Sequence, residues 1–419
     1  MNILIINQPL NNRGDESAHK GLIRALCKKM PNINIKVLFT GENQDSINQF
    51  SLKLPNIAYI NLPINNEYYR ISGWGMKYRM YALWYTHSTI RKIIRIYKEA
   101  DCVICAPGGI SMGGFQNWSH LFLLKLAKFL NKPLIYYGRS FGPFPTKTLN
   151  NRIYKRISLE MLNYFSFLSI RDKQTEKLAQ QLNIKFEQTV DSAFLDSPRV
   201  ELPKELKSVI WNYKFMVFVP NSLIWHYHYK NYLTKESVVK FYKKIILLIK
   251  NNYSEHNIVM LPQTFNYGTE LGDDINFFRD LANELDDPNI IILNDKYSSD
   301  IQQTIISNAE FLIGARYHSI VFALNNNIPF IALSYEHKIK GLLETLDKDD
   351  RVVDITNLSS EENDELIQKI YKLLLNLKKD SEAQRKAKTI AYNCLEKLVD
   401  FLNKIEDRKA INKNNKFII

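Results

Sequence analysis

The chain has 419 residues, of which 45% are apolar and 24% are charged, and this balance is typical of a globular protein. Its length favours two domains over a single core and excludes a small disulfide-held module. Lysine and arginine outnumber aspartate and glutamate by 56 to 43, so the formal net charge of +13 favours anionic partners.

The sequence disfavours several other classes of protein. The amino-terminal segment "MNILIINQPL" has no basic leader, so we expect a strand there instead of a signal peptide, and a cytoplasmic location. Cys102 and Cys105 have CxxC spacing but lie in an apolar run without a second cysteine pair, so we expect packing and no metal site. The basic residues are spread over helix faces without a nucleic-acid-binding motif, so we expect no nucleic-acid partner.

The first half alternates short apolar runs with stretches of helical periodicity, which predicts βα units around a parallel sheet. Residues 74–99 are rich in aromatic and basic residues, and we expect them to be helical. The predicted strands cover residues 2–7, 35–39, 102–106, 133–138 and 165–171, and the predicted helices cover 15–29, 116–130, 148–163 and 173–182.

The alternation stops near residues 196–214, where Pro198 and Pro203 interrupt it, and we predict the domain junction there. Residues 360–406 are helical by pattern with no later strand, so they could pack back over the first domain. In the second half, strands are predicted at 215–220, 257–262, 290–294, 311–315 and 329–334, and helices at 234–250, 273–285, 299–308, 317–326 and 338–346.

This alternation predicts an α/β protein with two doubly wound, Rossmann-like domains that face a cleft. The predicted boundaries are an N-terminal domain over 1–197, a C-terminal domain over 205–358, and C-terminal helices with a basic tail over 359–419. Ligands of open α/β sheets bind at the carboxyl ends of the strands. Polar residues that directly follow a predicted strand are therefore the candidates for a site.

The segment "NNRGDES" follows the first predicted strand. Asp15 or Ser17 can cap the next helix, whose free N–H groups favour an anion or a polar ligand. Asn12 and Gly14 suit a turn, and a capped turn explains Gly14 and Asp15. It gives no reason for the charged group Arg13, Asp15 and Glu16 at a strand end.

Three further stretches of the first half follow strands. The loop "APGGISMGG", with Gly108 and Gly109, allows a ligand close to the backbone but matches neither a dinucleotide-binding nor a P-loop motif. Arg139 and Arg171 each stand just past a predicted strand. An Arg-Asp pair such as that at Arg171 commonly fixes a helix start, and its position also favours ligand contact.

The stretch "GARYHSIVFAL" places Arg316 and His318 between a predicted strand and a predicted helix. Arginine offers a planar fork that matches carboxylate or phosphate, and histidine can move a proton near neutral pH. The alternative is a purely structural role, in which Arg316 holds the domain interface and His318 bonds to a neighbouring carbonyl. The residue types alone do not decide between a binding site and this structural role. Glu336 and Lys338 stand at the next predicted helix start, and adjacent strands would bring the two turns together.

Taken in order, these motifs resemble the polysaccharide pyruvyltransferase family over about residues 3–345. The matching stretches are "NRGDE", "APGGISMGG", "GRSFGPF", "SIRDKQT", "VDSAFL" and, most specifically, "GARYHSIVFALNNNIPFIALSYEHK". The resemblance implies a GT-B-like architecture and transfer of a pyruvyl group from phosphoenolpyruvate to two hydroxyls of a sugar, which gives a cyclic ketal and phosphate. It implies no cofactor beyond this co-substrate, and a glycan or lipid-linked sugar as acceptor.

The family's donor-binding Arg-x-His matches Arg316, Tyr317 and His318. We expect Arg316 to clamp the donor and His318 to contact phosphate or act as acid or base, because phosphoenolpyruvate has two anionic groups and ketal formation moves protons. Asp15 is expected to be an acceptor contact or the second base. The expected acceptor-side residues are Asn12, Asp15, Glu16, Gly108, Gly109 and Arg139.

Two positions depart from the family pattern. Arg139 stands where the family pattern suggests glutamine, which bears on acceptor contacts. At the start of the second domain a basic residue is expected, but "VFVPNSLIWHYH" offers Asn221, with His228 beyond it. We therefore add Asn221 to the expected donor contacts, together with Arg171 or Lys338 as the missing cation.

Two other functions remain open from the sequence. One is a GT-B glycosyltransferase that uses a nucleotide sugar, and the other is a non-catalytic partner in polysaccharide assembly. A lipid-linked acceptor would suit a basic protein that contacts the inner face of the membrane, and we keep this contact as a hypothesis.

Overall fold

The computed structural model describes residues 1–10, 12–114, 116–210, 213–226, 229, 232–265, 273–359 and 363–416. Within this part of the chain, no helix is both long and apolar enough to cross a membrane. The chain forms two compact units, and each has its own parallel sheet, so the predicted pair of α/β sheets is confirmed. Unit 1 comprises Met1–Leu10, Ala18–Asp196 and Thr389–Ile419, and unit 2 comprises Asn11–Ser17 and Ser197–Lys388.

Unit 1 contains a seven-stranded parallel sheet and a separate two-stranded sheet. Its strands are β1 (Asn2–Ile6), β2 (Asn34–Thr40), β3 (Ile57–Leu62), β4 (Cys102–Cys105), β5 (Gly108–Met112), β6 (Leu134–Tyr136), β7 (Arg139–Phe141), β8 (Phe167–Ile170) and β9 (Glu187–Gln188). The large sheet has the order β3-β2-β1-β4-β6-β8-β9, and β5 pairs with β7. β1 and β4 are almost continuously apolar because helices cover both faces of a parallel sheet.

Helices connect these strands. They are α1 (Arg13–Lys29), α2 (Gln44–Phe50), α3 (Asn66–Tyr78), α4 (Ser88–Glu99), α5 (Trp118–Phe129), α6 (Leu149–Leu162) and α7 (Lys173–Gln181). Residues 74–99 are largely helical, as expected, but they belong to three separate helices. Arg79 adopts a left-handed backbone conformation (φ 58°) that ends α3, and a 3-10 helix over Tyr81–Tyr85 precedes α4.

Unit 2 contains a six-stranded parallel sheet. Its strands are β10 (Phe215–Val219), β11 (Asn257–Met260), β12 (Ile290–Ile292), β13 (Leu312–Gly314), β14 (Phe330–Ser334) and β15 (Val352–Asp354). Its helices are α8 (Lys204–Ile210), α9 (Lys235–Asn252), α10 (Asp274–Asn283), α11 (Ser299–Asn308), α12 (Tyr317–Asn325), α13 (His337–Thr345) and α14 (Asp364–Leu375). The last helix, α15 (Ser381–Lys416), begins in unit 2 and belongs to unit 1 from Thr389 onward.

The strand order of unit 2 reverses at its centre. The order is β12-β11-β10-β13-β14-β15, so the chain leaves β10 toward β11 on one side and returns to β13 on the other. Such a reversal opens a crevice at the carboxyl ends of the two central strands, where ligands of α/β sheets bind. The sheet of unit 1 reverses in the same way between β1 and β4.

The end of the chain packs on unit 1. The Tyr392 hydroxyl of α15 donates to the Leu195 carbonyl at 3.0 Å, and Lys409 forms an ion pair with Asp101 at 2.7 Å. This agrees with the expectation that the terminal helices fold back over the first domain, for the residues from 389 onward.

Cys102 and Cys105 are both buried in β4. Residues three apart in a strand point to opposite faces, so the CxxC spacing does not bring these two thiols together. Among the described residues, no group of three His, Cys, Asp or Glu side chains is arranged to hold a metal ion.

Candidate functional site

The candidate site of unit 2 lies where its strand order reverses. β10 and β13 are hydrogen-bonded neighbours, with β11 and β14 flanking them. Asn221 follows β10, Arg316 follows β13 and Glu336 follows β14, so these polar residues leave the sheet at one edge. The expected convergence of polar turns at adjacent strand ends is therefore found within this unit.

Arg316 is held by a buried carboxylate. It is the residue before the first turn of α12, and its guanidinium forms an ion pair with Asp274, with side-chain exposures of 13% and 2%. The other Asp274 oxygen accepts from the backbone N–H groups of Gln263 and Thr264, both at 3.0 Å. Burial raises the pKa of Asp274, and Arg316 and the two N–H groups oppose this rise. The guanidinium after β13 is therefore fixed relative to the end of β11.

His318 is the second residue of α12. Its ring meets that of Tyr317 edge to face, with centroids 4.9 Å apart. The backbone of Gly14 lies close against the imidazole, and a Cβ atom built on Gly14 would lie 1.8 Å from His318 Nδ1. Only glycine leaves room for this imidazole, which explains the glycine of "NRGDE".

Asn12 starts helix α1. Its side-chain Oδ1 accepts from the N–H groups of Gly14 at 2.8 Å and Asp15 at 3.2 Å, which is the arrangement of a helix cap. The expectation that Asp15 or Ser17 caps this helix is wrong. Both residues lie inside α1, because Asn12 already satisfies the first free N–H groups.

Residues 11–17 belong to unit 2, although they follow the first strand of unit 1. Arg13 and Glu16 form a fully buried ion pair, and Glu16 Oε1 also accepts from the N–H and the hydroxyl of Ser299, each at 3.0 Å. The Arg13 N–H donates to the Gln263 carbonyl at 2.9 Å. The segment is thus tied to the start of α11 and to the end of β11.

Several buried donors of this site have no hydrogen-bond partner within the described ranges. They are Asn221 Nδ2, Gln263 Nε2, Thr264 Oγ1 and Arg316 Nε. Asn221 Oδ1 is occupied, because it accepts from the Leu223 N–H at 3.1 Å and from the Trp225 indole at 2.9 Å. Buried donors nearly always find a partner, so donors that lack a protein partner at a strand-end crevice favour a ligand rich in oxygen.

Lys338 is one of the two cations that we expect at the donor, and it lies in the first turn of α13, where it pairs with Glu336 at 3.2 Å. Two histidines also follow Asn221 in the stretch after β10. His226 is buried with its ring 5.4 Å from that of Tyr335. His228 lies outside the described residues.

Arg171 belongs to unit 1 and forms a fully buried ion pair with Asp191, which in turn accepts from the Ala193 N–H at 3.0 Å. The neighbouring Asp172 caps α7 by accepting from the Thr175 N–H at 2.8 Å. This geometry accounts for Arg171 as a structural tie, and its contact with a donor stays a prediction.

Arg139 lies at the strand reversal of unit 1 and is also buried. Its guanidinium donates to the Ala106 carbonyl at 2.6 Å, to the Asn7 carbonyl at 3.2 Å and to the Ser111 hydroxyl at 2.9 Å. No carboxylate in the described part of the chain pairs with it. Burial, aided by Arg139, lowers the pKa of nearby His120 well below its usual range.

The glycine loop forms β5 beside Arg139 of β7. The Tyr154 hydroxyl donates to the Ser111 carbonyl at 2.8 Å and anchors the loop. A Cβ atom built on Gly109 meets no other atom within 4 Å, so the backbone there has open space on that side. Gly108 lies directly opposite Arg139 in the strand pairing. Both expected acceptor-side glycines therefore adjoin Arg139.

Sequence reasoning missed two residues that organise this site. Asp274 stands in an acidic pair at a helix start, a pattern that indicates capping, and its partner Arg316 is 42 positions away. Gln263 lies after the apolar run of β11, so the rule applied to the other strands would also have selected it.

The comparison with protein families identifies a match to the model described as polysaccharide pyruvyl transferase, over residues 12–337. The chain is also 23% identical over 388 residues to the amylovoran biosynthesis protein AmsJ of Erwinia amylovora. That alignment covers 85% of this chain and 89% of the relative.

Solved structures share the fold. The UDP-GlcNAc 2-epimerase of Neisseria meningitidis bound to UDP-GlcNAc superposes with a TM-score of 0.56 at 14% identity, over 96% of this chain and all of that chain. The Arabidopsis thaliana protein UGT89C1, complexed with quercetin, superposes with a TM-score of 0.53 at 12% identity, over 95% of this chain and 98% of that chain. The fold is therefore the GT-B-like pair of Rossmann sheets that the sequence predicts.

A Gly14→Ala substitution tests the packing of Gly14 on His318. Helix propensity alone would stabilise the protein by up to ~1 kcal/mol, but the new methyl group overlaps His318 Nδ1. We expect a lower melting temperature by calorimetry. Gly341→Ala is the matched control, because a Cβ there lies in open space of a helix and should not destabilise the protein. Equal behaviour of the two variants would contradict the close contact.

An Asp274→Ala substitution tests whether this carboxylate holds Arg316. The change leaves a buried guanidinium and two backbone N–H groups without their acceptor, so we expect a loss on the order of 3 kcal/mol in unfolding free energy. Asp274→Asn keeps one acceptor oxygen and should lose less. Denaturant unfolding measures both, and a loss within the range of ordinary surface changes, about 0.5 kcal/mol, would refute the assignment.

Proposed function

Because the chain belongs to the polysaccharide pyruvyl transferase family, we propose that it transfers pyruvyl from phosphoenolpyruvate to two hydroxyls of a sugar. The product would be a cyclic ketal in a surface or capsular polysaccharide precursor. The similarity to a protein of amylovoran biosynthesis supports a role in exopolysaccharide formation. We propose a cytoplasmic location, where the co-substrate is made.

The observation that supports this proposal most is the Arg316 fork at the strand reversal of unit 2. Asp274 orients the guanidinium, and Asn221 and Thr264 supply buried donors that lack a protein partner in the described residues. The free N–H groups at the N-terminus of α12 also attract an anion. Phosphoenolpyruvate has a planar carboxylate and a phosphate, and these donors match both groups.

The reaction requires several proton transfers. One sugar hydroxyl adds to C2 of phosphoenolpyruvate and loses its proton to a base, while an acid delivers a proton to the C3 methylene, which becomes a methyl group. The second hydroxyl then replaces phosphate at the same carbon, and its proton leaves with the phosphate or with a base. We propose His318 as the group that contacts the phosphate or delivers the proton, because imidazole exchanges protons near neutral pH.

We propose Asp15 as the second base or as an acceptor contact, since it lies on the same helical turn that covers His318. Glu16 is engaged by Arg13 and Ser299, so we propose that it positions this turn. Asn12 would act in the same way through its cap. Lys338 would add positive charge for the donor.

The acceptor would contact unit 1. We propose Gly108, Gly109 and Arg139 for this role, because the glycine backbone leaves open space beside a buried cation. The acceptor is a glycan, either polymeric or lipid-linked. Neither a metal nor a cofactor has a part in this proposal.

Ligand-induced stabilisation separates this function from nucleotide-sugar transfer. We expect phosphoenolpyruvate to raise the melting temperature and UDP-sugars to leave it unchanged, since a ligand at ~100 times its dissociation constant adds ~2.7 kcal/mol. Differential scanning fluorimetry with inorganic phosphate as a control ligand measures this effect. A rise with UDP-sugars alone would favour a glycosyltransferase.

Substitutions at the donor site test the assigned residues. Arg316→Lys keeps the charge but loses the planar fork, and we expect acceptor-dependent phosphate release to fall at least about 100-fold. His318→Asn should reduce kcat by about 100-fold or more. His256→Asn is the matched control, because this buried histidine precedes β11 at the opposite end of the strand. Full activity of either site variant would overturn its role, and product mass would confirm ketal formation.

A further inference from the structure

A cluster of exposed apolar side chains occurs at one end of helix α3. Trp74, Tyr78 and Met80 have exposed fractions of 48%, 65% and 51%, and Leu149 at the start of α6 has 71%. Tyr69 and Tyr85 of the same region are exposed as well. Single exposed apolar residues are ordinary, but several together indicate a surface that meets a partner.

Helix geometry and direct contacts bring these residues together. Trp74 and Tyr78 are four residues apart and share one face of α3. The Lys77 ammonium of α3 donates to the Asn150 side chain of α6 at 3.1 Å, so Leu149 lies beside the end of α3. We call Trp74, Tyr78, Met80 and Leu149, with the cations around them, the aromatic-basic surface.

The charge of this region is strongly one-sided. Residues 66–80 contain three cations and one acidic residue, Glu67, and residues 147–156 contain four cations and no acid. Arg70 lies over the Trp74 ring at 5.6 Å, so a cation covers one of the exposed rings. The cations of the two segments are Arg70, Lys77, Arg79, Lys147, Arg152, Lys155 and Arg156.

We propose that the aromatic-basic surface docks on an anionic phospholipid membrane. Tryptophan and tyrosine favour the boundary between lipid headgroups and acyl chains, where the ring is buried and its polar edge stays hydrated. Lysine and arginine near such a surface are attracted by anionic headgroups. A peripheral contact of this kind requires no membrane-spanning helix, because the side chains enter only the interface.

This surface is connected to the glycine loop of unit 1. Helix α6 contributes Leu149 to the surface, and its Tyr154 holds the Ser111 carbonyl of the loop. Its Asn151 accepts from Gln116 at the end of the loop at 2.8 Å. If the proposed function holds, docking would bring the loop to acceptor sugars that are linked to a membrane lipid. The docking itself does not depend on that function.

Liposome flotation with the full chain tests the docking directly, without phosphoenolpyruvate or an acceptor. We expect the protein to float with phosphatidylcholine vesicles that contain phosphatidylglycerol, and to float far less with phosphatidylcholine alone or at high salt. The double substitution Trp74→Ser with Tyr78→Ser should lower the partition coefficient at least about ten-fold, because these two side chains would no longer bury apolar area in the membrane interface. Arg70→Glu with Arg79→Glu should lower it at least about five-fold.

Matched variants control for general effects of charge and hydrophobicity. Tyr213→Ser with Leu375→Ser removes exposed apolar side chains of unit 2, and Lys240→Glu with Lys404→Glu reverses exposed charges elsewhere. Neither control should change flotation by as much as two-fold, and all variants should keep the parent melting temperature. Equal losses in the control variants would overturn the proposal. Absence of flotation for the parent chain would also overturn it, and this is the result expected if the surface binds a protein instead of a membrane.

Discussion

The site of unit 2 depends on the buried carboxylate of Asp274. One oxygen holds the guanidinium of Arg316 after β13, and the other holds two N–H groups at the end of β11. A single side chain therefore ties the two strands on either side of β10 to each other. Without this carboxylate, Arg316 would be a long, flexible cation at a strand end. The crevice would then lose a hydrogen-bond donor that is held in a fixed orientation.

The segment Asn12–Glu16 adds a second constraint to the same crevice. It follows a strand of unit 1, yet the Arg13–Glu16 ion pair and Ser299 fix it within unit 2. Burial of an ion pair is costly unless its remaining oxygens are satisfied, and here Ser299 satisfies one of them. The segment is held firmly enough for Gly14 to lie against His318, so a motif remote in sequence covers the catalytic candidate.

Much of this architecture could be predicted from the sequence, because parallel strands are continuous apolar runs and helices have regular periodicity. Arg316 and His318 were selected by a local rule, that polar residues after a strand lie at a ligand-binding edge. This rule did not select Asp274, the partner of Arg316, because ion pairs between distant segments have no local sequence pattern. Residues 74–99 are helical as expected, but the break within them was not foreseen. Arg79 takes a left-handed conformation that arginine seldom adopts, so no sequence signal marked the end of α3.

The two strand reversals differ in the state of their arginine. In unit 2, Asp274 neutralises Arg316, so the guanidinium acts as an oriented set of donors more than as a free positive charge. The dianionic co-substrate proposed for this site would then be held mainly by hydrogen bonds and by the α12 N-terminus, since Lys338 also has a carboxylate partner, Glu336. In unit 1, Arg139 has three oxygen acceptors and no carboxylate within the described residues. No carboxylate of the described residues therefore offsets its charge, and the acceptor that we propose for the glycine loop would lie beside a cation without an anionic partner.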